Sequence, residues 1–363
     1  MKTSFSSNLS IQNSLRQAME KAQKDLVAAN LEVTTGLHAD MGVALGSSTT
    51  HSLDLTRDLL RIESLQGANG LAKTRIDSSE GALKVMAEQV TTVNGLLTGL
   101  TNSDSTIDAV VTTMKQALNT FISSGNSSVA GEYLFAGTNS DVKPLTSYSE
   151  ENSALKTAVD AELTYFMANQ VPPVTSKTDL SASQMGVFLD DLEKKFNGTE
   201  MTTSPPQPAD SDGKDFWKEF GSKASDSNMT TRITSSETIE SSVNANDRGF
   251  RNFVFGAVVS IELLPGVSDA ARAVVSERAQ QAIGRASAGI SSQRTQLGLS
   301  SERITKATDS LSAQKAIFEN SISDLQSVDP YEAATRVNSL KSLLEAAYTL
   351  TARIQQLSLI NYL

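Results

Sequence analysis

Proline placement is the feature that most limits what this chain can become. Residues 1–143 contain none, six of the eight fall between Pro144 and Pro208, and only Pro265 and Pro330 follow. Proline costs a helix interior roughly 3 kcal/mol or more, because it removes a backbone donor and its ring clashes with the preceding turn. A proline-free stretch of that length, rich in Ala, Leu, Gln and Ser, can hold long helices. The proline-rich middle must be something else.

The two ends read as matching rods. Asp329 suits an N-cap, Pro330 the first helical position, and Glu332 stands three residues after the cap. Beyond Pro330 there is no Gly or Pro, and Val337, Leu340, Leu343, Leu344, Ala347, Leu350, Ile354, Leu357, Leu359, Ile360 and Leu363 recur at spacings near three and four. That is the near-heptad pattern by which one helix packs along another. At the other end Ile11, Leu15, Ala18, Ala22, Leu26, Ala29 and Val33 keep the same spacing, and Gly36 arrives where a C-terminal cap is wanted. One helical pair buries little apolar surface, so both ends are expected to order only on assembly with neighbouring copies. The candidate assembly residues are Ile11, Leu15, Leu26, Val33, Leu343, Leu350, Ile354, Leu357, Leu359, Ile360 and Leu363.

Between the ends, Gly36 to Thr50 carries three glycines and a Ser-Thr cluster and reads as an extended strap. A long helix is predicted from Ser52 to about Leu100, and a shorter one from Ser105 to Ser123. Gly131 to Thr138 alternates aromatic and small residues between glycines, the mark of a strand entering a turn. Residues 139–246 hold the proline cluster, the only tryptophan (Trp217), and 17 acidic against 9 basic side chains. Short helices are expected at Ala154–Asn169 and Ser181–Phe196, strands at Met229–Ile233 and Thr238–Val243, and a polar loop at Thr199–Gly213. A helical pattern resumes near Asp247 and runs to Val328, broken at Leu264-Pro265-Gly266.

The resulting fold class is mainly α: an elongated helical hairpin bundle with coiled-coil-like paired terminal helices and a small α+β insertion at the distal end. Its expected parts are residues 1–35 with 329–363 (paired terminal helices), 36–130 with 247–328 (helical bundle) and 131–246 (an outward-facing insertion).

Chemistry is poorly represented. There is no cysteine, which excludes disulfides, thiolate metal sites and cysteine nucleophiles. The net charge of -10 argues against nucleic acid as a partner, the absence of an 18-residue apolar run argues against membrane insertion, and Met1 to Asn8 lack an apolar core of signal-peptide length, so export by an ordinary cleaved signal is not expected. His38 with Asp40, and His51 with Asp54, lack further ligands to complete a metal site. Asp190, Asp191 and Glu193 read as a solvated helix face rather than paired catalytic acids. The expectation is a protein that is not an enzyme, with no catalytic, metal or cofactor site and no cofactor.

The runs Leu311-Ser312-Ala313-Gln314-Lys315, Glu319-Asn320-Ser321-Ile322-Ser323-Asp324-Leu325, Val328 to Arg336 and Ala352 to Leu363 resemble the C-terminal domain of bacterial flagellins and their relatives. The N-terminal hundred residues are similar in layout, but Thr35-Gly36-Leu37-His38-Ala39-Asp40-Met41-Gly42 replaces the Ser-Gly break, basic residue and Asp-Asp or Asp-Asn element usual in filament flagellins. With Gly131 to Asp141, this departure looks more like the hook-filament junction family FlgL (hook-associated protein 3). The resemblance covers about residues 1–140 and 228–363. It implies a ring in the flagellar axial structure, with the junction protein FlgK and flagellin as neighbours. It also implies an export chaperone in the cytoplasm, secretion through the flagellar type III apparatus, and an extracellular location. The alternative is a filament-forming flagellin.

Overall fold

The structure is a computed structural model of the full chain and describes residues 3–100, 104–150, 153–199 and 215–360. In order, the helices are α1 (Thr3–Thr35), α2 (Met41–Leu45), α3 (Thr49–Thr98), α4 (Asp104–Gly125), α5 (Ala154–Ala168), α6 (Ala182–Phe196), α7 (Arg248–Leu263), α8 (Asp269–Gln326) and α9 (Pro330–Ile360). Strands β1 (Ser128–Val129) and β2 (Glu132–Tyr133) form one antiparallel pair, and β3 (Thr230–Arg232) and β4 (Thr238–Glu240) another. The mainly α class therefore holds, with individual helices as long as 58 residues. The loop expected at 199–213 lies almost wholly outside the described residues.

Local chemistry sets the helix starts. The Asp329 carboxylate accepts from the Tyr331 amide at 2.8 Å and the Glu332 amide at 3.4 Å, as its position predicts. Ser181 and Gln184 form a full capping box at the start of α6. The strap is corrected. Asp40 caps α2 through the Val43 amide, and a 3-10 turn at Gly46–Ser48 leads into α3, so the segment is mostly helical rather than extended. Its glycines are compatible with this once a side chain supplies the first orphan amide an acceptor.

The chain divides into two compact units, residues 1–64 with 310–363 and residues 65–309. The second unit is organised around α7. Every residue from Gly249 to Ile261 is buried, so this helix has no solvent face and occupies the centre of its unit. Phe253 stacks on Phe121 of α4 at 4.1 Å between ring centroids, Phe250 meets Phe135 at 5.5 Å, and Phe255 meets Phe196 of α6 edge-on at 5.5 Å. The sequence placed α7 as the first part of an amphipathic rod. The structure makes it the core, and Leu134, Phe196, Phe216, Trp217, Ile233 and Ile239 from the 131–246 stretch join the same hydrophobic cluster.

Arg251 is a buried charged residue inside that core. Its side chain is 8% exposed and donates to the Asn246 carbonyl at 2.8 Å, the Phe196 carbonyl at 3.1 Å and both Asp215 oxygens at 3.2 Å. Asp215 in turn accepts from the Trp217 amide at 3.0 Å. One guanidinium thereby ties the end of α6 and the turn at Asp215–Trp217 to α7. Removing one partner of a buried pair strands the other charge, so Arg251→Ala is expected to cost about 3–5 kcal/mol. The check is the denaturant midpoint followed by Trp217 fluorescence; a loss below about 1 kcal/mol would mean that water reaches Asp215 freely.

Candidate assembly interface

In the first unit α1 and α9 lie antiparallel. Gln23 donates to the Tyr348 hydroxyl at 2.6 Å, Thr351 lies against Met19, and Arg336 pairs with Glu32 at 3.0 Å. The contact stripe on α1 is Leu15, Met19, Ala22, Leu26 and Ala29; on α9 it is Ala333, Val337, Leu340, Leu344, Ala347 and Thr351. Both step by four and three, the spacing of a coiled-coil seam. Ala22, Ala29, Ala333 and Leu344 are buried, the rest half-buried.

The candidate residues divide accordingly. Leu15 and Leu26 lie in the seam and are half-buried. Val33, Leu343 and Leu350 point away from it and stay 44%, 57% and 48% exposed. Ile11, Ile354, Leu357, Leu359 and Ile360 belong to α1 and α9, but their side chains lie outside the described residues, as does Leu363 altogether. In the described part the two helices are paired with each other within one chain.

What the pairing leaves uncovered is large. Among the described residues of this unit the buried apolar side chains are Ala22, Ala29, Ile62, Leu311, Val328, Ala333 and Leu344, three of them contributing a single methyl group. Against these, Val27, Leu31, Val43, Leu53, Leu60, Ile317, Tyr331, Leu343 and Leu350 are exposed. Sequence reasoning missed Leu53, Leu60 and Ile317. Leu53 and Leu60 are seven residues apart, so they share one outer face of α3, opposite the buried side marked by Ser52 and Ile62. These apolar groups are exposed on a unit whose buried apolar side chains, among the described residues, are few.

His51 is exposed, and the other titratable groups singled out in the sequence serve local structure. Asp40 caps α2, Asp54 pairs with Arg57 at 3.2 Å, and His38 Nδ1 lies 3.9 Å from Glu32. Asp190 and Glu193 pair with Arg278 of α8, Glu193 also with Arg285, and Asp191 sits 3.7 Å from Lys194. Among the described residues no cluster of three or more His, Asp or Glu is placed to hold a metal ion, and no helix is long and apolar enough to cross a membrane.

Residues 6–140 match the bacterial flagellin N-terminal helical region, and residues 280–363 the bacterial flagellin C-terminal helical region. The chain belongs to the bacterial flagellin family. Flagellin-family proteins are structural components that self-assemble in the axial structure of the extracellular flagellum and are not enzymes. A solved structure from Vibrio parahaemolyticus, described as that of a flagellar hook-associated protein, is similar over 77% of this chain and 97% of its own, with a TM-score of 0.50 and 14% sequence identity. At that identity the likeness is one of fold. Among curated proteins none matches. The flagellin matches stop short of residues 141–279, which include α5, α6 and the central helix α7.

Proposed function

We propose that this flagellin-family protein is a structural adaptor at the hook-filament junction, of the FlgL type (hook-associated protein 3). It assembles as a ring on the preceding junction protein, FlgK, and forms the platform on which flagellin polymerises. Residues 1–35 and 329–363 are its assembly core, 36–130 and 247–328 the supporting helical bundle, and 131–246 the outward-facing insertion. The chain leaves the cytoplasm through the flagellar type III apparatus after a cytoplasmic export chaperone has held its C-terminal segment.

The observation that carries the assembly role is the imbalance in the first unit, whose small buried core sits beside exposed Val33, Leu343, Leu350, Leu53 and Leu60. Burial of a large apolar side chain contributes about 1.5–3 kcal/mol, so covering several of these against neighbours is a substantial driving force. The junction role in particular is supported by Thr35 to Gly42, which departs from the filament pattern at the bend between α1 and α3. There Gly36 adopts φ +72 and Asp40 caps α2. The fold likeness to a hook-associated protein points the same way. A filament-forming flagellin is the second reading, favoured by the match to flagellin at both ends.

Electron microscopy of flagella from a strain lacking this protein separates the two. Bare hooks with flagellin shed into the medium are the expected result. Hooks bearing normal filaments would overturn the junction role and leave a filament flagellin.

A further inference from the structure

We propose that Glu32 fixes the axial register of the α1–α9 pair, and that this holds whichever axial structure the protein builds. The seam itself is permissive. Leu15, Met19, Ala22, Leu26 and Ala29 face Val337, Leu340, Leu344 and Ala347 among others, so sliding one helix by a heptad exchanges small or flexible apolar groups for others of the same kind. Seams of that sort need a polar contact to single out one alignment.

Glu32 is placed to supply it. It is only 8% exposed although it lies on a two-helix pair with little cover. One carboxylate oxygen accepts from Arg336 Nη1 at 3.0 Å, and Arg336 also donates to Glu332 on its own helix at 2.9 Å. The other oxygen accepts from the Ala39 amide at 3.3 Å. Around it the bends at the two helix ends are joined: the His38 amide donates to the Gln326 carbonyl at 3.0 Å, the Val328 amide to the Gly36 carbonyl at 2.9 Å, and Leu37 bridges Ser327. One side chain thus links α1, α9 and the bend that follows α1. A heptad slip would separate Glu32 from Arg336 and leave a carboxylate in a mostly buried place without its cation, an unfavourable state.

The chain has no cysteine, which makes a direct test simple. Spin labels are attached at Ser14→Cys and Asn338→Cys, both exposed in the structure, and their separation is measured on the full-length monomer by pulsed electron resonance. The parent chain is expected to give one narrow distance. The combined change Glu32→Leu and Arg336→Leu removes both charges and leaves neither stranded. It is expected to keep its helical content and to add a second population displaced by about 10 Å, the length of one heptad. Arg336→Lys alone, which keeps Glu32 and the positive charge, is expected to keep the single distance. A single unshifted distance in the double variant would overturn the proposal, as would a broad distribution in the parent chain. Should the double variant lose helical content, Glu32→Ala with Arg336→Ala is measured in its place, and a single distance there counts against the proposal equally.

Discussion

Gly289→Ala is expected to destabilise the second unit by about 3 kcal/mol or more, the upper end for overpacking. A methyl group at Gly289 of α8 would sit 2.5 Å from the Gly249 Cα and 2.8 Å from its backbone nitrogen, and one at Gly249 would sit 3.0 Å from the Gly289 carbonyl carbon. Backbone meets backbone here, so no side chain can swing aside. α7 touches α8 at this point because neither helix carries a Cβ. Helix propensity alone predicts the opposite sign, since alanine is favoured over glycine in a helix interior by about 1 kcal/mol. The same substitution at Gly284 or Gly298 of α8, where a methyl group would meet nothing within 4 Å, is expected to stabilise by roughly 0.5–1 kcal/mol. Denaturation followed by the fluorescence of Trp217, fully buried in this unit, reports all three. Equal effects at the three positions would show that the close crossing does not govern stability.

Leu343→Glu combined with Leu350→Glu is expected to abolish assembly while leaving the monomer nearly as stable as before. Both leucines are about half exposed on one chain, and surface changes away from packed features usually stay within about 0.5 kcal/mol. In an assembled wall the same positions would bring two carboxylates per copy into an apolar contact, where unpaired charges are strongly unfavourable. Leu344→Ala serves as the contrast. Leu344 is 7% exposed and lies in the intramolecular seam, so its truncation is expected to loosen the α1–α9 pair by about 2 kcal/mol or more, seen as faster amide exchange in both helices. The pair of variants separates an outward surface from an inward one along a single helix. Sedimentation and electron microscopy of the assembled product give the reading; normal assembly by the Leu343→Glu, Leu350→Glu chain would remove these residues from the interface.

Along this chain the sequence carried the local facts. The proline-free first 143 residues, the Asp329-Pro330 start and the Gly36 stop set helix positions because they act on their own backbone turns, whatever packs around them. The four-three spacing in α1 and α9 likewise foretold a pairing. It could not say which face would pair, because α9 has apolar residues on two faces: Leu340 and Leu344 turned into the seam, Leu343 and Leu350 outside it. Periodicity measures spacing around a helix, whereas the choice between stripes depends on what lies opposite.

The central position of α7 is a tertiary result for the same reason. Its run from Phe253 to Ile261 is apolar almost all round, a signal available in the sequence that reads equally as one flank of an amphipathic rod until α4, α6 and α8 are seen to surround it. The Gly249–Gly289 crossing, the buried Arg251 network and the Glu32 link each join residues far apart in the chain. Composition and local pattern fixed where the helices begin and end; long-range packing decided which glycine permits a contact, which charge is buried, and which leucines remain free to meet a neighbour.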